Sequence, residues 1–197
     1  MAQVQGNCSL NGCPLRPAQA VLPLADALRN ALAGAYAEQS RSDYAVYSVY
    51  LKSAEDCHRL HYLQMACEKI AKAYRLRDTP SFTEADLYSH VAFSKFIPGF
   101  LKAARLRDRY RSQDAKRRHL ERYARGLAIR IEKLAPAVDR EQTPANVEYP
   151  WVSGGSVYAP ARHVYSISSQ LAEAAGQDFL KLIETAITDY DTITLVG

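Results

Sequence analysis

The densest chemistry in this sequence lies between Arg117 and Arg125, where arginines flank a histidine. Arg118, Arg122 and Arg125 stand four and three residues apart, so on a helix they share one face, opposite a stripe of Leu120, Tyr123 and Leu127. His119 falls toward the border of that face. A row of guanidinium groups of this kind holds phosphates. With a histidine beside it, the row has the parts of a metal-independent ribonuclease: a cation for the scissile phosphate and an imidazole that can move the 2′-hydroxyl proton near neutral pH. Arg118 and His119 are the candidates for catalysis. Arg111, Arg118, Arg122 and Arg125 are the candidates for binding nucleic acid or nucleotide, with Arg107 and Arg111 joining the row if the helix is unbroken. The competing reading is a solvated helix face partly neutralised by Glu121 and Glu132.

A second set of polar groups lies in CHRLHYLQMACEKIAKAYRL, residues 57 to 76. Leu60, Leu63, Cys67, Ile70, Ala71 and Tyr74 recur at steps of three and four and predict a buried helical face. His61, Gln64, Glu68, Lys72 and Arg75 recur beside it as a polar ladder. His61, Gln64, Glu68 and Lys72 either line an interhelical groove or face solvent. In the solvent case Glu68 and Lys72 form a surface pair contributing about 0.3 kcal/mol. His90, at helical spacing from Phe93 and Ile97, reads as a partly buried bundle histidine.

Other chemistries lack their motifs. There is no GxGxxG or Walker sequence, no HExxH and no GxSxG elbow. WVSGGSVY has no helix directly after it and is a better hairpin turn than a phosphate loop. Cys8, Cys13, Cys57 and Cys67 read as free thiols, because the N-terminal residues show no secretory signal. A zinc site from Cys8, Cys13, Cys57 and His61 would lack the CxxC pairs that make such sites recognisable, so no metal or cofactor is expected.

The elements that must position these groups are helical. At 197 residues, 48% hydrophobic and 23% charged, the chain suits one domain with its own core. No apolar run approaches the roughly 20 residues of a membrane span, so a cytoplasmic location is expected. The net charge of +4 is uneven: residues 101 to 134 hold twelve Lys or Arg against four Asp or Glu, a local +8 that leaves −4 elsewhere.

Residues 1–17 read as a tail or strap, and residues 18–197 as one helical-bundle domain. A first helix is expected over about 18–37, then a short one capped by Ser42 or Asp43 and sharing Tyr44, Tyr47 and Leu51 on one face. A bend at 53–56 precedes the helix of 57–76. The next helix should open on a Ser81/Glu84 capping box and stop at Pro98-Gly99. A charged helix follows to Leu134, with an apolar stripe of Leu120, Tyr123, Leu127, Ile131 and Leu134. The stripe fails between 105 and 117, so this helix either breaks near 112–114 or projects beyond the core. An extended or β-hairpin insertion is expected over 143–167, anchored by Trp151. A final helix over about 168–189 should turn Leu171, Ala175, Leu182 and Ile183 inward.

Asp43 with aromatic residues on one helix, followed by Leu63, Gln64, Ala66, Glu68, Lys69, Lys72 and Ala73 on the next, resembles the alanine-rich glutamate-lysine-lysine signature of HEPN domains, the higher eukaryotes and prokaryotes nucleotide-binding family. The resemblance covers roughly residues 42–134. It implies an antiparallel up-and-down four-helix bundle that often dimerises and binds or acts on nucleotides or RNA. Many members are ribonucleases with a closely spaced arginine and histidine. No histidine of this chain stands at that spacing; the nearest approximation is Arg111, eight residues before His119. The expectation is therefore an all-α, HEPN-like homodimer that binds RNA or nucleotide through basic helix faces. Its alternatives are a non-catalytic protein-interaction or antitoxin-like module, and a ribonuclease with an irregular Arg/His pair.

Overall fold

The computed structural model describes residues 25–195, apart from the side chains of Glu84 and Arg109. Cys8, Cys13, the tail of residues 1–17 and the start of the first expected helix lie outside these residues. Within them the architecture is an all-α bundle carrying one β-hairpin, as the periodicities predict.

Helix α1 (Asp26–Ala45) widens into a π turn at Val46–Tyr50 before the chain bends into α2 (Asp56–Asp78). The separate short helix expected after residue 42 does not form. Asp43 caps nothing; it is buried in α1 and ion-paired with Lys69 of α2. Helices α1 and α2 run antiparallel: Arg29 Nη1 donates to the Leu76 carbonyl at 3.2 Å, Ser40 Oγ to the Ala66 carbonyl at 2.8 Å, and the Arg59 guanidinium lies over the Tyr47 ring. Arg29 also donates to the carbonyls of Thr79 and Phe82. It thereby places a cation at the C-terminus of α2, where the helix dipole favours one. Small residues at Ala33, Ala37, Ser40, Ala66 and Ala73 are all buried, which lets the two backbones approach closely.

Helix α2 is the centre of the molecule. The predicted stripe from Leu60 to Tyr74 is buried throughout, but so are Gln64, Ala66, Lys72, Ala73 and Leu76 on its other sides. The chain then forms α3 (Glu84–Leu87), α4 (Ala92–Lys102), α5 (Ala104–Arg109) and α6 (Asp114–Glu132). One expected helix over 81–97 is thus two. The capping box belongs to Thr83 and Asp86, not Ser81 and Glu84, and the Thr83 N–H donates to Asp86 at 2.8 Å. His90 sits in the bend between α3 and α4. Pro98 lies inside α4 and does not end it.

An aromatic cluster joins these helices. The Tyr74 ring lies 5.1 Å from Phe96, 5.5 Å from Phe100 and 5.1 Å from Tyr190, while Phe93 meets Phe179. The buried Tyr74 hydroxyl donates to the Ala186 carbonyl at 3.1 Å, so its polar end is satisfied. Each buried ring contributes roughly 1.5–3 kcal/mol by leaving water.

The insertion contains strands β1 (Trp151–Ser153) and β2 (Ser156–Tyr158), paired antiparallel with Ser153 opposite Ser156. Gly154 and Gly155 make the two-residue turn at φ 55° and 76°, a backbone region open to glycine. Trp151 is buried, as expected of an anchor, and stacks on Tyr158. Asn146 organises the approach to the hairpin: its Oδ1 accepts the N–H groups of Glu148 and Tyr149, and its carbonyl accepts the Tyr165 hydroxyl at 2.7 Å.

The expected final helix is also divided, into α7 (Ser166–Ala172) and α8 (Ala174–Thr188), by an extended residue at Glu173. Gly176 explains the tight joint. A β-carbon there would stand 2.1 Å from the Gln170 carbonyl oxygen. Leu171, Leu182 and Ile183 point inward, joined by Phe179, while Ala175 is half-buried.

Candidate functional site

Helix α6 turns Leu120, Ala124, Leu127, Ala128 and Ile131 into the core and leaves the opposite side to solvent. Arg118, Arg122 and Arg125 are all exposed on that side. Tyr123 departs from the apolar stripe to which its spacing assigned it: it is 50% exposed, and Ala124 fills the core position. The His119 and Tyr123 rings pack one turn apart, with centroids at 4.5 Å. The outer face of α6 therefore combines guanidinium groups with two adjoining rings.

Local charges divide the arginines. Arg117 is held by Glu121 at 2.5 Å and lies 3.5 Å from Asp114. Arg118 lies 3.5 Å from Asp114. Arg122 and Arg125 have no acidic partner among the described residues. The helix breaks between α5 and α6, so Arg107 and Arg111 do not extend the row. Arg111 pairs with Asp108 at 2.8 Å and lines a neighbouring depression with Arg107, Asp114 and Arg117. Arg118, Glu121, Arg122 and Ala115 line a separate shallow one.

The polar ladder on α2 is split among three environments. His61 faces the insertion, its Nδ1 3.6 Å from Glu148 and without a hydrogen bond. Arg75 lies over the Phe82 ring. Gln64, Glu68 and Lys72 go inside, so Glu68 and Lys72 are not the surface pair their spacing suggested: their side chains are 13% and 5% exposed. Lys72 Nζ donates to Glu68 Oε1 at 2.6 Å, and Gln64 Nε2 to Oε2 at 2.9 Å. His90 Nδ1 stands 3.1 Å from the same Oε2. His90, 43% exposed, connects this network to the surface.

Burial alone would raise the Glu68 pKa. The hydrogen bonds and charges of Lys72 and His90 outweigh it and hold the carboxyl below its ordinary range. Glu132, at the end of α6, behaves oppositely. Burial raises its pKa, and the charge of Glu68 adds to this, against the opposing pull of the Ser94 and Phe93 N–H groups. Its Oε1 accepts the Ser94 N–H at 2.8 Å, so α6 supplies the carboxylate that caps the first turn of α4. Two interior carboxyls with opposed proton affinity are a familiar acid-base arrangement. Here both serve helix packing, and neither lines the cavity beside α6 or the depressions along its outer face.

Cys57 and Cys67 are buried free thiols, and burial pushes the Cys67 thiol well above its ordinary pKa, which removes it from nucleophilic chemistry. Among the described residues, no group of three or more His, Cys, Asp or Glu is placed to hold a metal ion. No helix there is long and apolar enough to cross a membrane.

Comparison with protein-family models, with curated proteins and with solved structures finds no match to this chain.

Proposed function

We propose that this protein binds RNA along the outer face of α6, through Arg118, Arg122 and Arg125, with Tyr123 and His119 beside them to stack on bases. The observation that carries the reading is the exposure of these arginines on one helical face next to the exposed Tyr123 ring, which packs on the half-buried His119. Arginine supplies the phosphate contact and an aromatic face the sequence-tolerant stacking contact. The HEPN-like pattern over residues 42–134 supports the same reading and brings with it a homodimer. Binding of a labelled single-stranded RNA, measured by anisotropy at low salt, tests it; absence of binding refutes it. Light scattering tests the dimer.

A second reading is favoured by the insertion. Val152 and Val157 face each other across the hairpin at 67% and 76% exposure, and Val164 follows at 87%. An apolar surface of this kind suits a protein partner, which would make the molecule an accessory module. Catalysis is a narrower proposal still. The His119 ring packs on Tyr123, and Arg118 is close to Asp114. If RNA is cleaved, His119→Ala should abolish cleavage while leaving the helical spectrum intact; cleavage that persists removes His119 from the reaction.

A further inference from the structure

A cavity of about 440 Å³ lies between the C-terminal half of α6 and the end of the insertion, starting one residue beyond the Arg118–Arg125 row. Its walls are Ile129, Leu134, Ile167 and the Tyr165 ring, and its polar lining is Arg130, Lys133, His163, Thr143 and Ser166. The volume is in the range of sites that take small organic molecules. Two features indicate which molecule it would take.

The first is charge. Lys133 is already matched: its Nζ lies 2.7 Å from Asp139, and its hydrogen bond holds that carboxyl below the ordinary range. The Thr143 hydroxyl is also engaged by Asp139. Arg130 has no hydrogen bond or ion pair to its side chain among the described residues, and neither His163 nor the Ser166 hydroxyl has one. The cavity thus has one unmatched permanent cation, a planar fork suited to a carboxylate, and His163 and Ser166 as further polar groups in its lining. The second is shape. His163 is held edge-on by Trp151 at 5.0 Å and Tyr165 at 4.6 Å, so three packed rings set the orientation of this wall. On α6, Gly126 leaves the wall open: a β-carbon built there meets nothing within 4 Å. Gly126 thus lines the cavity without a side chain and leaves that part of the rim uncovered.

The geometry points to a binding site for a small aromatic or apolar monocarboxylate, its carboxylate on Arg130 and its ring system against Tyr165, Ile129 and Ile167. 1-Naphthoate serves as the probe and its neutral counterpart 1-naphthalenemethanol as the control, both titrated calorimetrically into the full chain. The acid should bind one per chain, about tenfold or more tighter than the alcohol. Arg130→Gln should erase that preference. Gly126→Leu fills the opening with a better helix former, so it should abolish binding while the chain unfolds at the same or a higher temperature. Equal affinity for acid and alcohol overturns the assignment, as does naphthoate binding unchanged in Gly126→Leu. The double variant Arg118→Ala/Arg122→Ala, aimed at RNA, should leave naphthoate binding as it was, so the two readings fail separately.

Discussion

Replacing Arg118 and Arg122 together by alanine should flatten the salt dependence of RNA binding to about a third of its wild-type slope. Each single-strand phosphate neutralised contributes about 0.7 to the slope of log K against log salt. The row on α6 offers three exposed arginines over about 10 Å of helix rise, so the wild-type slope should be about −2. Raising KCl fourfold, from about 50 to about 200 mM, should then weaken binding by about 20-fold in the wild type and about 2.5-fold in the double variant. Arg111→Ala is the internal control. The break between α5 and α6 takes it out of the row, so it should leave the slope within error of wild type. Anisotropy of a short labelled oligoribonucleotide across a KCl series measures all three. A wild-type slope shallower than about −1 would refute the reasoning, as would a double variant indistinguishable from wild type.

Three further outcomes follow from the interior. Lys72→Met strands Glu68 in a buried site and should cost about 3 kcal/mol in chemical denaturation, the lower end for a broken buried pair because Gln64 and His90 still hold the carboxylate; Lys72→Met with Glu68→Leu should recover most of it, and a single-variant loss under about 1 kcal/mol would count against the network. Gly176→Ala forces a methyl against the Gln170 carbonyl and should lower stability by about 1–3 kcal/mol, visible as a depressed melting temperature; an unchanged melt would mean the α7–α8 joint relaxes freely. The lowered Glu68 carboxyl adds stability that is present above its unfolded pKa and is lost as pH falls through the folded one. The raised Glu132 carboxyl adds stability that is present below its unfolded pKa and is lost as pH rises through the folded one. Glu68→Gln should therefore flatten the acid limb of stability against pH, while Glu132→Gln should gain on wild type as pH rises from about 4 to about 8; denaturant titrations across that range would show the opposite trends or their absence.

The chemistry of α6 was partly legible from its spacing. Arg118, Arg122 and Arg125 had to share a face once the segment was helical, and they do. Tyr123 was misassigned because its position borders the apolar arc, and the width of that arc depends on what packs against it. Arg111 joined the row only on an unbroken helix; the apolar stripe that fails between 105 and 117 also allowed a break near 112–114, and that break is what forms. Pro98 and Gly99 looked like punctuation, yet α4 runs through them: its buried face of Phe93, Phe96, Ile97, Phe100 and Leu101 outweighs a local breaker. The Arg130 cavity had no sequence signal, since its walls come from α6, the loop after it and the end of the insertion.

By itself the sequence determined the helical class, the buried stripe of α2, the glycine turn of the hairpin and the surface clustering of charge, because each follows from periodicity or the local conformational preference of a few residues. Tertiary structure alone decided where the polar ladder of α2 goes. A period of three to four residues separates one side of a helix from the other but does not count the neighbours. In this fold α2 is enclosed by α1, α4, α6 and α8, so Gln64, Glu68 and Lys72, which would be solvated on a peripheral helix, had to find partners in the interior.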